Sequence, residues 1–252
     1  MGESAERFPA LLPREHGASM ELGFALLTAF TLARPTPASL ALGVSAILVF
    51  VAHESFMLLI GRRGERRRIA QRAAAWRTML ALGAVATALA LYGSLGLSIL
   101  VLATLAIPVV LAAPALLLAL RGLERSLVAE LFVVAGLVSV SLPVALASGA
   151  SLDLVLSTAT IWFVCFTVGT FAARGVLYRT KDHGRGLRVA LVAALIVASL
   201  SLACAALGWA PLRLALAPLP SAIVAILIAW RPPSPKKMTR LGLGLTSASL
   251  AT

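Results

Sequence analysis

The sequence predicts an all-α fold: a polytopic transmembrane bundle of about eight helices with both termini in the cytoplasm. Three observations predict it. The 252-residue chain is 60% apolar and only 13% charged, with a mean hydropathy of +0.97. A soluble domain is about 45–50% apolar and about 25% charged. The apolar residues gather into segments near the roughly 20 residues that cross a bilayer core. The charges, finally, sit between those segments and alternate in density.

The segments run over about 18–33, 38–60, 74–93, 96–119, 126–147, 154–173, 188–208 and 211–230. The first is short and carries Glu21. Pro108, Pro114, Pro143 and Gly169 do not veto helices, because membrane helices tolerate them where neighbours satisfy the freed backbone groups. This divides the chain into a cytoplasmic N-terminal segment 1–17, a bundle 18–230 and a tail 231–252 that is cytoplasmic or interfacial. The polar start through Arg14 lacks the pattern of a cleavable leader. The first segment is therefore expected to remain as an anchor.

Charge placement supports an even number of spans. With the N-terminus inside, 20 of the 22 Lys and Arg fall in cytoplasmic stretches, and only Arg34 and Arg213 fall outside. One mis-assigned helix would destroy this positive-inside pattern. It also accounts for the net charge of +12 without a nucleic-acid partner. Anionic lipid head groups at the arginine run Arg62–Arg72 are the expected partner. The external connections, Arg34–Pro37, Gly93–Leu95, Ser148–Asp153 and Gly208–Pro211, are tight. The long connections, 61–73 and 174–187, are both placed inside. The localisation that follows is the cytoplasmic membrane, crossed several times.

Charges within or beside spans are expensive and ask for a reason. Glu21, His53, Glu54 and Glu130 lie inside apolar segments, all in the cytoplasmic half. Arg14, Glu15, His16, Glu124 and Arg125 lie just outside, and Arg174 ends the sixth segment. If the helices pack together, these groups line one inward-facing cavity. Arginines would then hold an anion bidentately, and His53 or Glu54 is the candidate catalytic base. The others are candidate substrate contacts. Each has a structural alternative: Glu15 beside a helix dipole, Glu54 as glue to an arginine, Asp153 as an N-cap. Three histidines, adjacent His53 and Glu54 pointing about 100° apart, and two cysteines buried in apolar runs give no metal site. The cofactor is left unknown by the sequence, and no phosphate-binding loop, dinucleotide glycine pattern or nucleophile elbow is present.

The opening Leu12-Pro13-Arg14-Glu15-His16-Gly17-Ala18 resembles the start of the YwiC-like bacterial membrane proteins. Glu124-Arg125-Ser126 with the apolar run to Pro143, and Phe166–Arg174, are similar to that family too, so the resemblance covers most of the chain. It departs at Ser19-Met20-Glu21, where the family often continues with aromatic or apolar residues. The family has no established activity, so the resemblance implies a membrane protein and no mechanism. The layout is also similar to the UbiA superfamily of intramembrane prenyltransferases, whose chemistry sits after helices 2 and 6. The Asp pairs of those enzymes are missing here. The sequence thus favours binding or processing of an anionic amphiphile at the cytoplasmic face. A proton-linked transporter using Glu54 and Glu130, and a non-catalytic accessory protein, are the alternatives.

Overall fold

The computed structural model describes residues 16–179 and 184–233. Among these residues it is wholly helical: α1 (His16–Leu32), α2 (Pro37–Leu59), α3 (Glu65–Ser94), α4 (Ile99–Leu120), α5 (Leu127–Ser139), α6 (Ser141–Ala147), α7 (Leu152–Tyr178), α8 (Arg185–Ala206), α9 (Leu212–Leu216) and α10 (Leu219–Trp230). Helices α5 and α6 together form one span, as do α9 and α10. Seven spans are long and apolar enough to cross a bilayer, and α1 is a shorter apolar helix. The protein is a multi-pass membrane protein.

The breaks and starts follow from local chemistry. Pro143 cannot donate to the carbonyl of Ser139 and its ring crowds it, so the helix yields at Val140. Pro220 acts likewise on Leu216, where α9 ends. Helix α2 opens with a reciprocal cap: Ser39 N–H donates to Thr36 Oγ1 at 3.1 Å, and Thr36 N–H donates to Ser39 Oγ at 2.9 Å. Ser126 Oγ caps α5 by accepting from Ala129 N–H at 3.2 Å. The N-cap of α7 is Ser151, not Asp153, which stands exposed in the first turn. There it faces the positive end of the helix dipole without closing a cap.

Two connections differ from expectation. Helix α3 begins at Glu65, so most of the arginine run 62–72 is helical and only residues 60–64 turn the chain. Helix α7 runs on to Tyr178, which puts Arg174 within it.

The helices pack as antiparallel neighbours, α2 with α3, α4 with α5, α7 with α8 and α8 with α10, while α10 lies parallel against α7. Helix α1 and the α5–α6 span sit between these units. The core is built largely from small residues. Ala25, Ala29, Ala145, Ala172, Ala190, Ala194, Ala222 and Ala225 are wholly buried. Lipid is as apolar as a leucine core, so membrane helices gain by close van der Waals approach instead. Aromatic rings stack at one place, where Phe24, Trp162 and Phe166 lie at 5.6 and 5.1 Å and Trp162 Nε1 donates to Thr28 Oγ1 at 3.0 Å.

Two helix backbones approach closely at Gly175. A Cβ there would lie 2.9 Å from Leu187 N and 3.0 Å from Gly186 C, both backbone atoms of the α8 start. Neither can give without moving a helix. Gly175→Ala is therefore expected to cost about 1–3 kcal/mol, read as a lowered Tm in detergent. Gly83→Ala, where a Cβ meets nothing within 4 Å, is the control and is expected to be neutral or stabilising.

Candidate functional site

Several long-range contacts define one end of the bundle. Arg62 Nη2 at the α2–α3 turn donates to Leu120 O at the end of α4, at 2.7 Å. Arg174 near the end of α7 donates to Arg125 O, before α5, at 2.8 Å. Arg179 reaches Pro232 O beyond α10 at 3.5 Å. The turns carrying most of the described arginines therefore share this arginine end. The opposite end holds the Thr36 hydroxyl, which donates to Ala147 O at 3.0 Å.

At the arginine end lie four carboxylates that face an arginine: Glu65 pairs with Arg68 at 2.8 Å on the exposed start of α3, and the other three are less exposed. Glu54 on α2 is completely buried. Arg63 directs Nη2 and Nε at Glu54 Oε2, at 2.7 and 3.0 Å, and Arg67 Nη1 lies 3.4 Å from Oε1. Arg67 Nε continues to Gln71 Oε1 at 2.9 Å. Two guanidinium groups on one carboxylate leave this cluster with a surplus positive charge. A buried lone carboxylate would cost several kcal/mol, so the pairing is what permits the site. Ser55 Oγ, next along α2, is also buried and has no hydrogen-bond partner among the described groups.

The second carboxylate is Glu130 in the first turn of α5. Arg174 Nη1 meets its Oε1 at 2.8 Å and shares itself with Arg125 O. The Arg174 guanidinium also lies 5.1 Å from the Tyr178 ring centroid. The third is Glu124. Its Oε2 stands 4.0 Å from Arg62 Nε, beyond hydrogen-bonding distance. Both atoms are buried and neither has a hydrogen-bond partner among the described groups. Arg62 also lies flat on the α4–α5 turn. A Cβ on Gly122 would sit 2.9 Å from Arg62 Nη1, and φ +79° suits glycine there.

The depth of this layer follows from helix rise. Along α2, Pro37 to Glu54 spans about 26 Å at about 1.5 Å per residue. Along α7, Leu152 to Arg174 spans about 33 Å by the same rise. A hydrocarbon core is about 30 Å thick. Glu54, Glu130 and Arg174 thus lie near one boundary of an apolar slab rather than at its centre.

The structure joins some of the expected groups and separates others. Glu130 and Arg174 meet directly. Arg125 takes part through its backbone carbonyl while its side chain is exposed. Glu124 meets Arg62 instead. Glu54 is buried while His53 is exposed, so the two candidates lie on different faces of α2. His16 is the first residue of α1; Arg14 and Glu15 lie outside the described residues. Sequence reasoning missed Arg62, Arg63, Arg67 and Gln71 as site residues. A signal was present: Glu54 lies six residues before the tight turn 60–64, and Arg63 and Arg67 lie in it and just after it, within reach of long side chains folded back along the hairpin. Among the described residues no group of three or more His, Cys, Asp or Glu is placed to hold a metal ion.

Comparison with curated proteins and with solved structures finds no match. A family model, described as YwiC-like protein, matches residues 12–146. That span, over half the chain, takes in α1 to α6 with Glu54, Glu124, Glu130 and the arginines of the α2–α3 turn. Arg174 and the stretch Phe166–Arg174 lie beyond it. The chain belongs to the YwiC-like family, on the strength of that match.

Proposed function

We propose that the protein binds the anionic head of an amphiphile at the arginine end, with that end facing the cytoplasm of a bacterial cell. One observation carries the reading. Arg62 Nε is buried with no acceptor at hydrogen-bonding distance, in a layer where guanidinium groups outnumber the carboxylates. A phosphate or carboxylate oxygen supplies that acceptor, and a charge-assisted bond of this kind is short and strong. The layer lies at the depth of lipid head groups, so the ligand's tail would remain among the helices and lipid. Processing of the bound molecule would call on Glu54 or His53, and Glu54 would first have to leave Arg63 and Arg67.

A proton-linked transporter fits less well. Transport sites lie near the bilayer midplane, whereas Glu54 and Glu130 sit at one boundary and each is paired with arginine.

The orientation is read by labelling. Leu123→Cys at the arginine end is expected to react with an impermeant maleimide only in opened cells. Ser151→Cys, at the opposite end, should react in intact ones, both judged against the background of Cys165 and Cys204. The reverse pattern would invert the topology.

The ligand is tested by mass spectrometry of small molecules retained on the purified full-length protein. Wild type is expected to hold a stoichiometric anionic amphiphile, reduced at least tenfold in Arg62→Gln and in Arg174→Gln. Bulk phospholipid alone, equal in all three, would contradict the reading.

A further inference from the structure

Helix α3 carries a second set of arginines that the layer around Glu54 does not use. Its first turns split cleanly by helical position. Arg67, Gln71, Ala74, Ala75 and Thr78 face α2 and are buried or half-buried. The other side is a stripe with Ile69, Trp76 and Leu80 along its middle, 71%, 44% and 62% exposed. Arg66 and Arg77 flank it on one edge and Arg72 on the other, all exposed. Arg66 and Arg72 have no acidic partner among the described residues.

Register sets the depth of this stripe. Ser45 Oγ donates to Ala86 O at 2.8 Å, and Gly93 packs against Ala38 O. Carrying that antiparallel register along the hairpin puts Trp76 level with Ser55, beside Glu54. Trp76 thus lies at the slab boundary, where indole rings concentrate. Arg77, one residue further in, turns back: its Nε approaches Ala73 O at 3.4 Å, drawing the charge out of the apolar slab. Arg72 lies about one turn, or about 6 Å, beyond the boundary at phosphate depth, and Arg66 about three turns, or about 15 Å, beyond it on the aqueous side of the head groups.

We infer that this outer edge of α3, Arg66, Arg72 and Arg77 around Ile69 and Trp76, docks the anionic phosphodiester surface of the surrounding leaflet, separately from the Arg62 site. Cations without an acidic partner among the described residues, apolar residues between them and continuity with the lipid-facing span all fit a bilayer. An acidic protein would not need the apolar row to run on into the membrane at Leu80.

The test uses the full-length protein in bilayer discs of equal phosphatidylcholine and phosphatidylglycerol, with retained lipid counted by native mass spectrometry. Wild type should retain phosphatidylglycerol over phosphatidylcholine several-fold. The preference should fall between 0.1 and 0.5 M salt, as screening of exposed charge requires. R66Q/R72Q/R77Q should bring the ratio close to one, while Arg213→Gln, exposed at the opposite end, leaves it unchanged. These arginines are exposed, so the triple variant is expected to stay folded; the salt dependence of wild type tests the inference without it. An unaltered preference in the triple variant, no salt dependence, or equal loss in Arg213→Gln would overturn it. So would an acidic protein that co-purifies through these arginines with no lipid preference.

Discussion

The buried carboxylate of Glu54 is the constraint on which the arginine end depends. Removing a carboxylate from water in a low-dielectric setting costs several kcal/mol unless charge and hydrogen bonds return to it. Arg63 and Arg67 do this from the turn and first turns of the next helix. The requirement explains the tight connection between α2 and α3: a long flexible loop would not hold two guanidinium groups on one acid. It also explains why α3 starts so early. Arg67 must be carried on a rigid helix to reach Oε1 while its neighbour Gln71 holds it from behind.

Once that hairpin is fixed, its turn projects Arg62 onto the α4–α5 corner, where it meets Leu120 O and the flat surface of Gly122. Arg174 performs the matching task from α7, tying Glu130 and Arg125 O. Three helical units are thereby joined at one boundary by polar contacts. Across the apolar slab they are joined by alanine and glycine packing, which allows close approach but offers little selectivity. Some hydroxyls within the slab turn back on their own helix backbone, as Thr104 and Ser139 do, while Ser45 bonds across to Ala86 O. The α2–α3–α4 groove of about 320 Å³, lined by Ser45, Val49, Ala86 and Leu105 among others, belongs to that apolar half.

Much of the fold was legible in the sequence because hydropathy acts locally. Seven of the eight apolar segments correspond to units long enough to span and the first to the shorter helix α1, and Pro143 marks the break at Val140 once its missing donor is considered. The ends were less legible. Polarity between residues 61 and 73 suggested a loop, yet exposed arginines are good helix formers. Asp153 has the composition of a cap but stands two residues past it. The candidate site divided in the same way. Glu130 and Arg174 were recognised singly as charges beside spans, while their contact joins residues 44 positions apart in sequence and needs α5 to lie against α7. The α3 arginines were legible as a group and not as two faces, because facing depends on which side α2 covers.

The most direct measurement is a stability cycle in detergent on Glu54→Gln, R63Q/R67Q and all three together. The account predicts that Glu54→Gln alone loses about 3–5 kcal/mol, since it strands two largely buried guanidinium groups. The triple variant should then recover a substantial part of that loss, because no charge is left unpaired. A Glu54→Gln protein as stable as wild type, or losses that simply add, would contradict it.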